Sequence, residues 1–335
     1  CFAVDAANGR IKLPKVGWLR YRDSRPVEGT PKTVSLCREM AGWYVSVQVE
    51  KALSAPPVPA ATAIGAADRG ITNFLATDTG RLIEPLDAHK RSLYRLRRYQ
   101  RAVARKIEAA KVAAGIAKDK PFPKGFRLNP SHRLRRAQDR VAKIHCKIAR
   151  QRADFLHKLS TQIADQHAVF CLEDLKVRNM SASAAGDAEV PGKNVRQKAG
   201  LNRSILDQGW AAWASMLQYK LDWRGGELVT VPPAYTSQTC AVCGHVHADN
   251  RKGDVFRCLG CGHTDQADVN AAKNILAAGL AVLAGRGNPT GYAGVEDAGQ
   301  SDRPVKRQPT EERSDATGGF KSEVQRRYDE SVSVP

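Results

Sequence analysis

The sequence lacks the features that would place it across a membrane or outside the cell. No run of eighteen apolar residues occurs, and the apolar stretch near Ile275–Leu283 is too short to span a bilayer. A secretory signal is also missing. These absences argue against a membrane protein and against a secreted domain that disulfides hold together.

Acidic residues are scarce in one long segment. Between His89 and Ser160 there are 22 Lys and Arg residues but only four acids, so this segment carries an excess of 18 positive charges in a chain with a net charge of +19. A solvated helix surface usually mixes both signs, so the bias favours a polyanion as partner, and nucleic acid is the obvious one. The candidate nucleic-acid contacts are Arg97, Arg98, Arg101, Arg105, Arg135 and Arg136.

The length of 335 residues allows two or more domains. The chain starts without a methionine, and its first residues run directly into strand-like sequence, so we expect the C-terminal part of a longer protein. Alternating residues from about 12 to 51 predict a small antiparallel barrel or its remnant. Residues 52–63, with three prolines, predict a linker.

The middle of the chain predicts a mixed α/β domain. Three strands, over 61–68, 71–77 and 81–85, fit the first half of a ribonuclease H-like sheet. Two long basic helices follow and should form an antiparallel hairpin. The later elements are a strand over 168–175, a polar loop over 176–200, a helix whose Trp210 and Trp213 are core residues rather than a base-stacking platform, a strand over 227–231, a helix over 269–284 and a disordered tail.

Four of the eight cysteines form two matching pairs. Cys240 and Cys243, and Cys258 and Cys261, are each separated by two residues, and a glycine follows each pair. The fourteen residues between the pairs are one fewer than the usual zinc-ribbon window. Four thiolates can still close a tetrahedral structural zinc site, with the neighbouring histidines outside the ligand set. The motif says little about activity.

Three separated acids are candidates for a catalytic metal site. Asp68 ends the first strand, Glu173 ends the strand after the basic helices, and Asp268 precedes the last helix. Phosphodiester hydrolysis by two metal ions needs carboxylates that converge in this way. Singly, each acid could be a turn residue, a solvated strand end or a helix cap. Asp174 and Asp265 lie close enough in sequence to replace them.

Several blocks resemble the TnpB/OrfB proteins of bacterial insertion sequences, in the same order from about Leu13 to Leu280. The blocks are Asp68-Arg-Gly-Ile, Phe155-Leu-His-Lys-Leu-Ser, Glu173-Asp-Leu-Lys-Val-Arg-Asn-Met, Val231-Pro-Pro-Ala-Tyr-Thr-Ser-Gln-Thr-Cys-Ala-Val-Cys-Gly-His and Asp268-Val-Asn-Ala-Ala-Lys-Asn-Ile. The resemblance implies a RuvC-like nuclease whose magnesium ligands are Asp68, Glu173 and Asp268. It also implies a guide RNA from the transposon end, a DNA target and a cytoplasmic, nucleoid-associated protein.

The resemblance also implies a division of the chain. We expect a partial wedge-like β-barrel in 1–55, a RuvC-like nuclease in three parts, an inserted basic hairpin, a zinc ribbon and the tail. The nuclease parts are 61–88, 166–236 and 265–285, the hairpin is 89–165, the ribbon is 237–264 and the tail is 286–335. The N-terminal wedge strands and the helical recognition region of the family are absent from this sequence.

Two other functions fit part of the pattern. A nucleic-acid-binding regulator could keep the fold and the zinc site without catalysis, although none of the three acids is lost. A transposase that joins strands would also use three carboxylates. The zinc ribbon between the second and third acids favours an RNA-guided DNA endonuclease over both.

Overall fold

The computed structural model describes residues 2–22, 24, 26–40, 42–51, 61–118, 120–187 and 189–286. The chain consists of two compact units. The first, Cys1–Lys106 with Pro130–Thr290, contains every element of the candidate sites. The second is Ile107–Asn129 with Gly291–Pro335, and its described part is a helix end and the link that follows. The predicted disordered tail beyond Arg286 lies outside the described residues.

The first five strands form two separate sheets. β1 (Ala3–Asp5), β2 (Arg10–Leu13) and β3 (Gly17–Arg20) form one antiparallel sheet, and β4 (Thr30–Glu39) and β5 (Gly42–Glu50) form an antiparallel ribbon. The alternating sequence therefore predicts antiparallel strands correctly, but the described residues do not close them into a barrel. Much of the ribbon's apolar surface stays in water, with Trp43 64% exposed, so little apolar burial is available to draw the two sheets together.

A five-stranded mixed sheet forms the centre of the first unit. Its strands are β6 (Ile64–Asp68), β7 (Leu75–Thr77), β8 (Leu82–Ile83), β9 (Val169–Glu173) and β10 (Glu227–Val231). They lie in the order β10-β9-β6-β7-β8. β9 pairs parallel with both β10 and β6, and β7 pairs antiparallel with both β6 and β8. The three predicted strands before the basic helices are present but shorter, because residues 69–74 turn back at the sheet edge.

The helices follow the strands closely in the chain. They are α1 (Ala88–Ala113), α2 (His132–Gln166), α3 (Val177–Met180), α4 (Val195–Gln208), α5 (Trp210–Asp222) and α6 (Ala267–Gly285). Ser131 caps α2, because its hydroxyl accepts from the Leu134 amide at 3.2 Å. α3 and the start of α4 correct the predicted loop over 176–200. Residues 195–200 bury no apolar side chain, so their periodicity could not reveal a helix that Ile205 anchors.

Alternation along β6 and β9 divides the core between the two faces of the sheet. Ala66 and Cys171 pack toward Ile275 of α6, whereas Ala67 and Leu172 pack toward α2 and α5. Successive strand residues point to opposite faces, so each of these strands is buried on both sides. This explains why their sequences read as continuous apolar runs rather than alternating ones.

The core between the sheet and α5 is rich in aromatic rings. Trp213 is fully buried and meets Phe74 edge to face with 5.8 Å between ring centroids. Trp210 is 2% exposed. The prediction that these tryptophans belong to the core, and do not form a stacking platform, is therefore confirmed.

α6 is apolar along nearly its whole length. Its 19 residues are sufficient, by length and composition, to cross a membrane. The apolar run near Ile275–Leu283 is therefore only part of a longer apolar helix. Its inner face is nevertheless packed on the sheet. Ile275 is fully buried, and a Cβ added at Gly279 would lie 2.2 Å from the Cys171 sulfur. This close packing is that of a core helix.

The cysteine-rich segment forms a small sheet of its own. After a short 3-10 helix (Ala248–Asn250), β11 (Arg251–Lys252), β12 (Val255–Arg257) and β13 (Thr264–Gln266) pair antiparallel. Phe256 of β12 is fully buried and packs with Cys240, Cys258 and Ala267. The segment leads directly into α6, so the position of the ribbon is tied to the start of that helix.

Candidate active site and zinc site

The three predicted acids meet at one edge of the central sheet. β6 ends at Asp68, and its parallel neighbour β9 ends at Glu173. Because Ala66 and Cys171 face α6, Asp68 and Glu173, two residues further on, lie on the same face. α6 covers that face and begins with Asp268 in its first turn. Three segments that are distant in sequence therefore contribute one carboxylate each.

The three carboxylates share one electrostatic environment. Burial, followed by the charges of Glu173 and Asp268, raises the pKa of Asp68 to about 7. Burial also raises the pKa of Glu173, although a hydrogen bond from Thr236 and two arginine charges oppose the rise. Glu173 is 9% exposed and Asp268 is 6% exposed. Buried like charges need cations, so this donor set can hold hard divalent metal ions.

Two arginines lie against the acids, and the sequence reasoning missed both. Arg251 of β11 donates from Nη2 to Oδ1 of Asp268 at 2.8 Å. Arg69 is buried and donates to the backbone carbonyl of Glu173. A lone arginine in a loop looks like a solvated charge in sequence. Only their positions in the sequence could have indicated a role at the site. Arg251 lies between the cysteine pairs, and Arg69 follows a candidate acid.

Uncharged side chains hold the acids in place. The Thr236 hydroxyl donates to Oε1 of Glu173, and Asn73 Nδ2 donates to Oδ2 of Asp268 at 3.3 Å. A Cβ added at Gly70 would lie 2.9 Å from the Asn73 carbonyl oxygen. Glycine is therefore required in the turn that brings Asn73 to Asp268.

The two neighbouring acids have lysine partners instead. Asp174 is half-exposed and accepts from Lys176 Nζ at 2.6 Å. Asp265 accepts from Lys273 Nζ at 2.7 Å, and that contact lowers its pKa against the effect of burial. Asp268 also has a cationic partner in Arg251, so pairing alone does not separate the two sets. The trio is favoured because the charges of Glu173 and Asp268 are the ones that raise the pKa of Asp68.

The three carboxylates are gathered less closely than the four cysteines. In the part of the chain that the structure describes, only the four cysteines bring one ligand atom each within 4.8 Å of all the others. At least one pair of carboxylate oxygens in the acid trio is therefore farther apart.

The four cysteines are gathered as their spacing predicts. The Sγ atoms of Cys240 and Cys261 are 3.8 Å apart, and those of Cys243 and Cys258 are 3.5 Å apart. Four sulfurs within 4.8 Å of one another fit a tetrahedral thiolate site, so the shorter linker does not prevent closure. The four sulfurs fill all four positions of a tetrahedron, so the cluster is compatible with a structural zinc ion.

The two knuckles have the same backbone geometry. Cys240 and Cys258 each donate their amide to the carbonyl of the residue five positions on, and each accepts from the glycine four positions on. Those glycines, Gly244 and Gly262, have φ values of +73° and +75°. Glycine adopts this left-handed conformation without steric cost, which accounts for the glycine after each pair. His245 and His263 lie outside the sulfur cluster.

The predicted nucleic-acid contacts lie on exposed positions of the basic helices. Arg97, Arg98, Arg101 and Arg105 are exposed along α1, and Arg135 and Arg136 are exposed near the start of α2. Arg136 also lines a cleft between the two helices with Lys106, Arg133 and Arg140, and the Arg140 guanidinium lies over the Tyr99 ring at 5.8 Å. A surface of exposed arginines attracts the negatively charged phosphate backbone of a nucleic acid.

Comparison with known proteins identifies the family. Residues 42–184 match the family model OrfB_IS605, described as "Probable transposase", and residues 210–275 match the TNB domain of Cas12f1-like proteins. InsQ of Escherichia coli (strain K12), provisionally named an RNA-guided DNA endonuclease, is 42% identical over 92% of this chain and 69% of its own length. The chain belongs to the TnpB/OrfB family.

Other TnpB/OrfB relatives and solved structures are also similar. A protein of Streptomyces pristinaespiralis, also provisionally named an RNA-guided DNA endonuclease, is 36% identical over 83% of this chain. The chain spans 61% of that relative's length. A cryo-EM structure of a Cas12f1–sgRNA–target DNA complex aligns with 72% of this chain and 55% of that one, at 18% identity and a TM-score of 0.37.

Proposed function

We propose that this chain is the nuclease part of an RNA-guided DNA endonuclease of a bacterial insertion sequence. The observation that carries the proposal is the convergence of Asp68, Glu173 and Asp268 on one face of the sheet. The first strand of this sheet, β6, lies at its centre, between the parallel strands and the antiparallel hairpin. This is the arrangement expected of a RuvC-like, ribonuclease H-type domain in the parts 61–88, 166–236 and 265–285.

Two magnesium ions fit the donor set. Asp68, Glu173 and Asp268 offer the hard oxygens that Mg²⁺ prefers, and their mutual repulsion is what bound cations would relieve. Such ions, when bound, supply an activated water and stabilise the departing 3′ oxygen. Asp68 must release its proton to become a ligand, and its raised pKa allows that release near neutral pH.

Arg251 gives the zinc ribbon a role in this chemistry. Its guanidinium contacts Asp268 at 2.8 Å, so a phosphate bound at the acids would lie near it. Arginine binds phosphate oxygens with two parallel hydrogen bonds and can stabilise charge that develops on them. The four cysteines hold the ribbon, and the ribbon holds Arg251. On this proposal the structural zinc supports the active site indirectly.

The basic helices are the proposed surface for nucleic-acid backbones. Guide RNA and target DNA both present phosphates, and the exposed arginines of α1 and the first turns of α2 face solvent. The relatives are named for RNA-guided DNA cleavage. Base pairing between guide and target would supply the sequence reading, so the helices need only bind backbones. The ranges 89–165 for this hairpin and 237–264 for the ribbon remain proposed boundaries.

The test is cleavage of a guided DNA target by the complete protein with RNA that copurifies with it. Asp68→Ala, Glu173→Ala and Asp268→Ala should each abolish cleavage and leave RNA binding largely intact, because the arginines lie on other elements. Mn²⁺ should replace Mg²⁺, and Ca²⁺ should not support turnover. Asp174→Ala is the matched control, since this neighbouring acid is paired with Lys176, and it should retain activity.

The same experiment separates the competing functions. Wild-type cleavage that survives all three substitutions would place the active site elsewhere. A wild type that binds nucleic acid but never cuts, with silent substitutions, would favour a regulatory binding protein. Joined products that carry a new phosphodiester bond would favour a strand-joining transposase.

A further inference from the structure

The loop after β10 crosses the sheet edge that carries the acids. β10 ends at Val231, which is paired with Glu173 of β9. Five residues later the Thr236 hydroxyl donates to the Glu173 carboxylate. Asn274 of α6 donates to the Thr236 carbonyl at 2.8 Å and to the Thr239 carbonyl at 2.7 Å. The loop is therefore fixed to both the strand and the helix that supply the acids.

Tyr235 has an unusual backbone conformation in this loop. Its φ is +64°, in the left-handed region that a bulky side chain adopts only at a cost of roughly 1–2 kcal/mol. Its carbonyl accepts from the amides of Gln238 and Thr239, both at 3.0 Å, so the turn imposes this conformation. Glycine or asparagine would satisfy the same turn with less strain. The turn alone does not explain a tyrosine.

The Tyr235 ring does not stabilise the fold by packing. It is 67% exposed, although its neighbour Thr236 is buried against Glu173. Within the described residues, no other aromatic ring and no cation packs on it. A strained backbone and an exposed ring, one residue before the threonine that holds a buried carboxylate, are typical of a position kept for binding.

We propose that Tyr235 positions the DNA strand at the carboxylates by stacking on one of its bases. The inference rests on the proposed nuclease function and adds a residue that positions its substrate. A base can stack on a side chain only when it is not stacked within a duplex, so the strand must reach the site single-stranded or unwound. Stacking accepts any base, which suits an enzyme whose sequence reading is done by a guide.

The test uses a short single-stranded DNA oligonucleotide that contains the fluorescent base 2-aminopurine, whose emission falls on stacking. Binding to the full chain is followed by this quenching in Ca²⁺ and at high salt, so that no cutting occurs and backbone contacts are screened. Tyr235→Phe keeps the ring and should quench like the wild type. Tyr235→Asn suits the left-handed turn but has no ring, and it should bind about 5- to 150-fold more weakly.

Two further variants exclude a structural explanation. Trp223→Ala removes another aromatic side chain that is also 67% exposed, from a residue with φ of −64°, and should leave the quenching unchanged. Tyr235→Gly also relieves backbone strain, and it replaces the asparagine variant if that protein fails to fold. Thermal unfolding should show both left-handed variants at least as stable as the wild type.

The outcomes distinguish this proposal from the nuclease function. Equal quenching by the wild type and Tyr235→Asn, or equal quenching of the same base in a duplex, would overturn the stacking role. Stronger quenching with an RNA of the same sequence would reassign the ring to the guide and also overturn it. A Tyr235→Asn variant that loses cleavage but quenches like the wild type would also contradict the stacking role. A wild type that quenches through Tyr235 but never cuts would leave stacking supported and the nuclease function refuted.

Discussion

The raised pKa of Asp68 has a consequence for stability. An unfolded aspartate ionises near pH 3.9, whereas Asp68 in the folded chain ionises at about 7 because of burial and the charges of Glu173 and Asp268. Between these values the folded state holds a proton that the unfolded state has lost. The free energy of unfolding therefore falls as the pH rises through this window, as long as no divalent metal is bound.

Asp68→Asn should accordingly stabilise the metal-free chain. The amide cannot ionise, so the gain should be larger at pH 8 than at pH 5 and reach at most about 4 kcal/mol. Urea unfolding without added divalent metal, and without a chelator that would remove zinc, measures the difference. Asp174→Asn is the control, because this acid is exposed and paired with Lys176. A gain for Asp68→Asn that is the same at both pH values would contradict the shift.

The candidate acids were predictable because each one ends or begins a recognisable element. A strand end is visible in sequence, and parallel strands bring their carboxyl ends to one edge. The groups that act on these acids were not predictable in the same way. Arg251, Thr236 and Asn73 reach them through loops and a ribbon, and the position of a side chain in a loop depends on tertiary contacts that periodicity does not record.

At the level of elements, the sequence predicted whether a segment is a helix or a strand better than it predicted where that segment begins and ends. β6 and β9 were identified from apolar runs, and α2 from a long three- and four-residue repeat. α4 was missed, since the predicted helix begins only at Trp210, and the first residues of α4, 195–200, bury nothing apolar. The predicted barrel or its remnant is present as two separate antiparallel sheets, and alternation reports pairing within β4 and β5 but not whether separate sheets close on each other.

The zinc ribbon is an element whose fold depends on its ligands. Its strands are short, and apart from Phe256 and Ala267 its core consists of Cys240 and Cys258. So small a core cannot offset the entropy of ordering, and metal–thiolate bonds must supply the rest. Asn270 of α6 also accepts from the Ala241 amide at 3.0 Å, so the folded ribbon is fixed to the helix that carries Asp268.

Cys258→Ser should remove the metal and unfold the ribbon locally. Protein purified without added zinc should contain close to one equivalent, and this variant close to none, by metal analysis. Cys37→Ser is the matched control, because Cys37 is an exposed thiol on β4 outside the cluster, and it should keep the metal. A well-folded wild type without zinc would refute the site. Loss of the ribbon should also separate Arg251 from Asp268 and reduce any cleavage.

Over the whole molecule, charge is concentrated rather than spread. The net charge is +19, and the segment that forms α1, α2 and their link contributes nearly all of it. Some of these residues are used within the protein, since Arg150 binds Glu39 and Arg152 binds Asp207. The exposed arginines on α1 are not explained by the fold, so their charge is available to a polyanion.

Removing four of these charges should weaken binding to nucleic acid and flatten its dependence on salt. The variant replaces Arg97, Arg98, Arg101 and Arg105 with glutamine. Every phosphate that the variant no longer neutralises should lower the slope of log affinity against log salt by roughly 0.7 for a single strand, because fewer counterions are released.

The control removes the same charge from the N-terminal strands and their turns. It replaces the exposed residues Lys12, Lys15, Arg20 and Arg22 with glutamine. Titration of a labelled single strand between about 50 and 200 mM salt compares the two. Equal slopes for both variants would mean that only net charge matters, whereas a slope lowered by the α1 variant alone identifies the helix as the binding surface.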